Sequence, residues 1–291
     1  MSRRMRGALH LEDARVLHQT AFEAQQFVLR LAAPACAAHA EPGSFVHLSC
    51  DPAIPMRRPL SIMRADGRAG WIELLYKIVG PGLRALAARK IGDTLSVIGP
   101  IGTPFTPHPE RPRAVLIGGG VGIPPMIFLA ERLHALPESP YRPLVLMGSE
   151  IPFPFHPRPS TIVLPGLPPG AIACLPLLEQ WGVASRLASR AGLPGCFDGY
   201  VTELAGQWLG TLEPAELAEV ELFACGPTPM LAAAAQLARR YGVPCQVSLE
   251  EFMACGVGGC AGCTVRVRTS EGDAMKRVCV EGPVFDALAV F

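Results

Sequence analysis

Four cysteines carry the strongest chemical signal in the chain. Cys255, Cys260 and Cys263 fall within CGVGGCAGC, and Cys279 follows in KRVCVEGP. The spacing is C-x4-C-x2-C with fifteen residues to the fourth. That is the plant-type pattern of thiolates around a [2Fe–2S] cluster. Gly256, Gly258, Gly259 and Gly262 let the loop wrap tightly and turn backbone N–H groups toward sulfur. The stretch after the loop reads as a hairpin: strand 264–268, a turn at Glu271-Gly272-Asp273, strand 276–280, returning Cys279 to the other three. A structural zinc site with four cysteine ligands and a redox dithiol are the alternatives. Zinc sites usually show two C-x2-C knuckles, and only one is present.

Two further groups of residues are suited to phosphate and flat rings. In Met56-Arg57-Arg58-Pro59-Leu60-Ser61-Ile62, an Arg followed three residues later by Ser can set a guanidinium fork on a diphosphate and a hydroxyl on a ring nitrogen. Gly80-Pro81-Gly82 opens a helix expected over 83–90, a common anion position. Gly118-Gly119-Gly120-Val121-Gly122 lies between a strand and a helix, where dinucleotide phosphate is bound, although it is not a full G-x-G-x-x-G. Ala224-Cys225-Gly226-Pro227 follows another strand and could lie along a nicotinamide ring. The seven histidines show no metal or triad spacing and read as structural or exposed. Cys36, Cys50, Cys174, Cys196 and Cys245 read as buried small hydrophobes.

The elements that must position these residues fall into three segments. Residues 1–110 carry short strand-like runs (FVLRLAA, SFVHLSC, WIELLYKIV, TLSVIGPIG) between Gly/Pro turns, the pattern of a small antiparallel barrel. In Trp71 to Ile78 one face is wholly apolar and the other mixed. Residues 111–242 alternate strand and helix: RAVLI, a helix over 123–136, LVLMGS, TIVLPG, ELFACG, and MLAAAAQLARRYG stopped by Gly242. That alternation argues for a doubly wound parallel sheet. Eight prolines crowd residues 151–176, which read as extended surface loop apart from TIVLPG. Residues 243–291 form the cysteine-rich third domain.

Composition narrows the function classes. The chain has 291 residues, 49% hydrophobic and 18% charged, with net charge +1. There is no global field for nucleic acid or an anionic membrane, and no apolar run of ~18 residues that would span a bilayer. The N-terminal MSRRMRGALHLEDARV is basic without the apolar core of a secretory signal, so a cytoplasmic location is expected. In that compartment clustered cysteines serve as metal ligands or redox groups more often than as disulfides.

Taken in order, RRPLSI in a barrel, GGGVGIPPM and ACGPTPML resemble the ferredoxin–NADP reductase superfamily over nearly the full chain. With CGVGGCAGC and KRVCVEGPVFD added, the resemblance narrows to the electron-transfer subunits of class 1B dihydroorotate dehydrogenases. It implies a β-barrel FAD domain, an α/β NAD domain and a small cluster domain. It also implies a relay between NAD(H), FAD and a [2Fe–2S] cluster, serving the FMN of a separate catalytic subunit in pyrimidine biosynthesis, in a heterotetramer. By position Arg58, Pro59, Leu60 and Ser61 fall on the first FAD segment; Tyr76, Lys77, Gly80, Gly82 and Leu83 fall on the second. Gly118, Gly119, Gly120, Cys225 and Gly226 would face the nicotinamide nucleotide, and Cys255, Cys260, Cys263 and Cys279 would hold the cluster. Leu83 departs from the family's usual hydroxyl residue. Glu150 suits a free ribose 2′-hydroxyl and so favours NADH. A flavin reconciles hydride donation with one-electron acceptance, so no acid–base triad is expected. A sister NAD(P)H-dependent ferredoxin or sulfur reductase subunit, and a non-catalytic iron–sulfur redox sensor, are the competing readings.

Overall fold

The computed structural model describes residues 9–291. Most of the basic N-terminal stretch, residues 1–8, lies outside the described residues. Contacts divide the chain into two compact units: residues up to Pro104 with Ser248–Phe285, and Phe105–Val247 with Asp286–Phe291.

In the first unit, among the described residues, six strands close a barrel. They are β1 (His10–Phe22), β2 (Gln26–Ala32), β3 (Phe45–Leu48), β4 (Arg58–Asp66), β5 (Trp71–Lys77) and β6 (Thr94–Ile101). The order around it is β1-β2-β5-β4-β3-β6, and each neighbouring pair runs antiparallel. Closure removes the unpaired edges that an open antiparallel sheet would expose. The period-2 expectation for 71–78 is only half met, because Ile72 to Tyr76 are all buried. The strand admits a charge on its second face because Glu73 receives Arg30 at 2.7 Å, with Arg64 at 3.7 Å. Helix α1 (Pro34–His39) packs against the barrel. Helix α2 (Pro81–Ala87) is shorter than the expected 83–90 and starts with Pro81 in its first turn, where the missing N–H costs nothing.

The second unit carries β7 (Arg113–Gly119), α3 (Ile123–Ala135) and β8 (Leu144–Gly148). After them come the two-residue strands β9 (Arg158–Pro159) and β10 (Ala173–Cys174), then α4 (Pro176–Gln180), β11 (Ala184–Ala188), α5 (Val201–Leu209) and α6 (Pro214–Leu217). Next come β12 (Val220–Cys225), α7 (Thr228–Tyr241) and β13 (Cys245–Ser248), and a last short helix, α8 (Ala287–Val290), closes the chain. Strands β11, β8, β7, β12 and β13 lie side by side in that order. The pairs β11–β8, β8–β7 and β7–β12 are parallel. Chain order therefore reverses between β7 and β12, the switch point outside which ligands bind in doubly wound sheets. Strand β12 is buried throughout, as a strand covered on both faces must be. Helix α7 ends where expected: Gly242 takes a left-handed φ of 65°, which costs a glycine little.

TIVLPG forms no strand. Val163 is 84% exposed, so its apolar letters cover no core. The backbone there is held from outside: Glu179 accepts from the Ser160 hydroxyl at 2.8 Å and from the Thr161 amide at 2.6 Å, and Arg186 donates to the Ile162 carbonyl at 2.6 Å. The rest of the proline-rich stretch is loop, save the brief β9–β10 pairing.

The hairpin after the cysteine loop comprises β14 (Thr264–Thr269) and β15 (Gly272–Arg277). Thr269 pairs with Gly272, so the turn falls at residues 270–271, ahead of the expected position. Gly272, at φ 110°, allows that tight reversal. Cys279 consequently lies beyond the second strand, in the turn that follows it.

Candidate redox cofactor sites

The four cysteines meet as two pairs. Cys263 donates to Cys279 at 3.4 Å, and both are buried. Strand end and turn produce this contact: the Val278 amide donates to the Cys263 carbonyl at 3.0 Å, and Val280 and Glu281 fold back on Arg277. Arg277 locks the turn, bonding Glu281 at 2.7 Å and reaching the Gly258 carbonyl at 3.1 Å. At the other pair, burial works against ionisation of Cys255. Hydrogen bonds from the Val257, Cys260 and Gly259 backbone and from the Cys260 side chain outweigh it, and the thiol sits at about 7. Cys279 is pushed up to about 12 by burial and by Cys263 beside it. The Gly262 amide reaches the exposed Cys260 sulfur at 3.4 Å. Gly258 makes the wrap possible: φ is 81°, and a β-carbon there would lie 2.4 Å from Val280.

Among the described residues no three His, Cys, Asp or Glu side chains gather as a site for one ion. A single tetrahedral zinc asks four thiolates to share one centre. Two iron centres divide the four, so paired thiols with backbone N–H groups turned to sulfur suit a [2Fe–2S] group.

On the barrel, Arg58 opens β4 and donates to the Met56 carbonyl at 2.7 Å and to the Arg57 carbonyl at 3.1 Å. Its guanidinium lies directly over Gly82, where a β-carbon would come within 3.0 Å of Nε and Nη2. The barrel thus joins the two segments expected to hold FAD. Pro59, Leu60 and Ser61 continue β4 opposite His47, Val46 and Phe45; Leu60 is buried and Ser61 half-buried. Lys77 ends β5 and is half-buried, Gly80 has open space around it, and Leu83 is buried. Tyr76 is different: its ring stacks on Phe27 and its hydroxyl donates to Gln19 at 3.0 Å. Burial raises its phenol above the ordinary range. Its side chain belongs to the barrel core, leaving its backbone for any ligand.

Residue Arg57, beside Arg58, serves the barrel instead. It donates to the His47 carbonyl at 3.1 Å and to the Ser96 carbonyl and hydroxyl at 2.8 Å. Sequence alone does not separate two adjacent arginines; their partners do.

In the α/β unit, Gly118 is level with Cys225 on the neighbouring parallel strand. The two loops that follow press backbone to backbone. A β-carbon on Gly122 would lie 2.3 Å from the Cys225 carbonyl oxygen, and one on Gly119 would lie 2.5 Å from Met230 sulfur. Gly120 takes φ 54° as the chain turns into α3, and Gly226 is buried against Met230. Helix α3 tolerates Pro124 and Pro125 because both sit in its first turn. Gly118, Gly119, Gly120, Cys225 and Gly226 therefore share the crevice end of β7 and β12, where main-chain N–H groups can meet phosphate.

Of the scattered cysteines, Cys36, Cys50, Cys174 and Cys245 are buried as expected, whereas Cys196 is only half-buried. Burial pushes Cys36 up to about 12 and Cys50, Cys174 and Cys196 up to about 11.

Residues 250–291, which include all four cysteines, match the family described as the iron-sulfur cluster binding domain of dihydroorotate dehydrogenase B. The dihydroorotate dehydrogenase B (NAD(+)) electron transfer subunit of Bacillus caldolyticus is 34% identical, covering 85% of both chains. That of Desulforamulus reducens is 30% identical, covering 96% of this chain and 97% of its own. Among solved structures, a chain of an NADH-dependent reduced ferredoxin-NADP oxidoreductase superposes with a TM-score of 0.74 at 25% identity, covering 96% of this chain and 90% of its own. A ferredoxin reductase of carbazole 1,9a-dioxygenase shares the fold, with a TM-score of 0.62 at 20% identity, over 81% of this chain and 67% of its own. With likeness of this extent over both units, the chain belongs to the family of dihydroorotate dehydrogenase B electron transfer subunits.

Proposed function

We propose that this chain relays electrons between NAD(H), FAD and a [2Fe–2S] cluster to the FMN of a dihydroorotate dehydrogenase catalytic subunit in pyrimidine biosynthesis. The observation that carries this reading is that one compact unit holds both the Arg58–Gly82 clamp and the paired thiols of Cys255, Cys260, Cys263 and Cys279. When bound, FAD supplies the exchange between two-electron hydride chemistry and the one-electron chemistry of the cluster.

The chain's own residues bind and orient. Arg58 would neutralise the FAD diphosphate with its guanidinium fork, and Pro59, Leu60 and Ser61 would help to hold the flavin. Lys77, Gly80, Gly82 and Leu83 bring the second segment close, with Tyr76 contributing main chain. Gly118 to Gly120 present N–H groups to the nicotinamide nucleotide, and Cys225-Gly226 gives a flat floor. Glu150 follows the end of β8, exposed, within 3.5 Å of the Arg190 amide. A carboxylate there suits a free 2′-hydroxyl and repels a 2′-phosphate, favouring NADH. The cluster end is suited to meet the catalytic subunit, because Cys260 is exposed and Phe252 beside the loop is 94% exposed. A heterotetramer of two catalytic and two relay subunits in the cytoplasm completes this reading. No described helix is long and apolar enough to cross a membrane.

The test is reduction by NADH of anaerobic protein, with Cys279→Ser beside it. The variant is expected to lose cluster absorbance while NADH still bleaches the flavin, since the thiols and the GGGVG loop lie in separate units. A cluster retained in Cys279→Ser would contradict the ligand set. A wild-type flavin left oxidised by NADH would favour a redox sensor over a relay. The likeness to a ferredoxin-NADP oxidoreductase chain makes a ferredoxin the second candidate acceptor; co-purification of an FMN-containing barrel subunit would decide for the first.

A further inference from the structure

His47 is a polar residue in the apolar strand FVHL. Its exposure is 0%; neither ring nitrogen makes a well-formed hydrogen bond, and the polar groups that face it are on the main chain of Met253 and Cys255. A buried polar group without a partner is costly, so its position calls for a physical reason. The ring faces the cysteine loop: a β-carbon on Gly256 would lie 2.9 Å from Nδ1 and 3.1 Å from Cγ. Gly256 follows Cys255 directly, and its φ of 68° and missing side chain admit the imidazole.

The strand that carries His47 cannot yield. His47 pairs with Pro59 on one side, within the Arg58–Ser61 segment, and with Ile98 on the other. Its carbonyl accepts from Arg57 at 3.1 Å. The register against β6 shifts between Phe45 and His47, and such a bulge re-aims a side chain. One residue therefore touches the segment assigned to FAD through its backbone and the segment assigned to the cluster through its ring.

We propose that His47 is a positioning residue that holds the Cys255–Gly256 loop against the flavin strand and sets the reduction potential of the cluster bound there. This rests on the relay reading above. A neutral imidazole offers one N–H donor, and the loop groups that face it are on the main chain of Met253 and of Cys255 itself. An N–H directed at a carbonyl beside the cluster offsets its negative end; without it, an added electron meets more negative potential. Hydrogen bonding and solvent access around the sulfurs are what tune such clusters.

The experiment uses the anaerobic full chain, with an EPR-monitored redox titration of wild type, His47→Phe and His47→Gln. The Phe ring fills the space without a donor, whereas Gln keeps an N–H. A tenfold change in the redox equilibrium of a one-electron couple is a shift of about 59 mV. A fall of that order in His47→Phe, with a changed EPR line shape and recovery toward wild type in His47→Gln, is expected. Where Phe is not tolerated, His47→Leu carries the same expectation. A wild-type potential and spectrum in His47→Phe or His47→Leu would overturn the proposal. So would equal shifts in His47→Gln and in His47→Phe or its substitute His47→Leu, which would reduce His47 to packing. A wild-type chain without iron and sulfide would defeat the relay reading itself, before any variant is made.

Discussion

Gly122 shows how much a single residue can carry. Its missing side chain lets the GGGVG loop touch the main chain of Cys225 and Gly226, and the obstacle to any larger residue is backbone, not a flexible side-chain tip. Gly122→Ala should therefore force the two loops apart at a cost of about 1–3 kcal/mol. The expected result is weakened NADH-driven flavin reduction with iron, sulfide and flavin contents retained; stopped-flow reduction and metal analysis measure both. Unimpaired reduction would show that the loop contact does not shape the nucleotide site. At this scale the cysteine pattern is legible because its spacing is a local property of the chain. Arg58 was legible only as half of a motif: its position over Gly82 depends on two strands meeting. His47 gave no signal beyond being polar in an apolar run, because its burial against Gly256 spans more than two hundred residues of sequence.

Elements were read best where a strand or helix carries its own stop. Helix α7 ends at a left-handed glycine, and α3 starts at two prolines. TIVLPG misled because short apolar runs do not reveal whether a core lies beneath them. Its anchoring comes from polar contacts instead, and these titrate. The Glu179 carboxyl is opposed by burial but held down to about 2 by the Thr161 hydroxyl and amide and the Ser160 hydroxyl. A carboxylate depressed in the folded state stabilises above its ordinary value near 4.5, and that contribution is lost as pH falls toward its folded value. The segment around Ser160–Ile162 is thus expected to loosen between about pH 4.5 and 2, before α7 and β12. Hydrogen exchange across that range would read it, and Glu179→Gln should loosen the segment already at neutral pH. Protection unchanged in both would contradict the anchoring role. The hairpin was found but misplaced, because a two-residue turn ahead of Gly272 competes well with one at Glu271-Gly272-Asp273. The earlier turn puts Cys279 in a turn locked by Arg277, and that turn brings it to Cys263.

At the scale of the whole molecule, barrel and doubly wound sheet follow from two hydrophobic periods in one chain, and each carries a segment proposed to bind a cofactor. The reversal of strand order beside β7 explains why GGGVG and ACGP sit together although a hundred residues separate them. Residues 248–285 grouping with the barrel puts the thiol pairs and the Arg58 clamp in one unit, an arrangement invisible to segment-by-segment reading. This chain is expected to carry a flavin and a two-iron cluster that NADH can reduce. The direct measurement is iron, acid-labile sulfide and extracted flavin per chain on anaerobically purified protein, with the visible spectrum before and after NADH. About two irons, two sulfides and one FAD, bleached by NADH, are predicted. Zinc without sulfide or flavin would contradict the account.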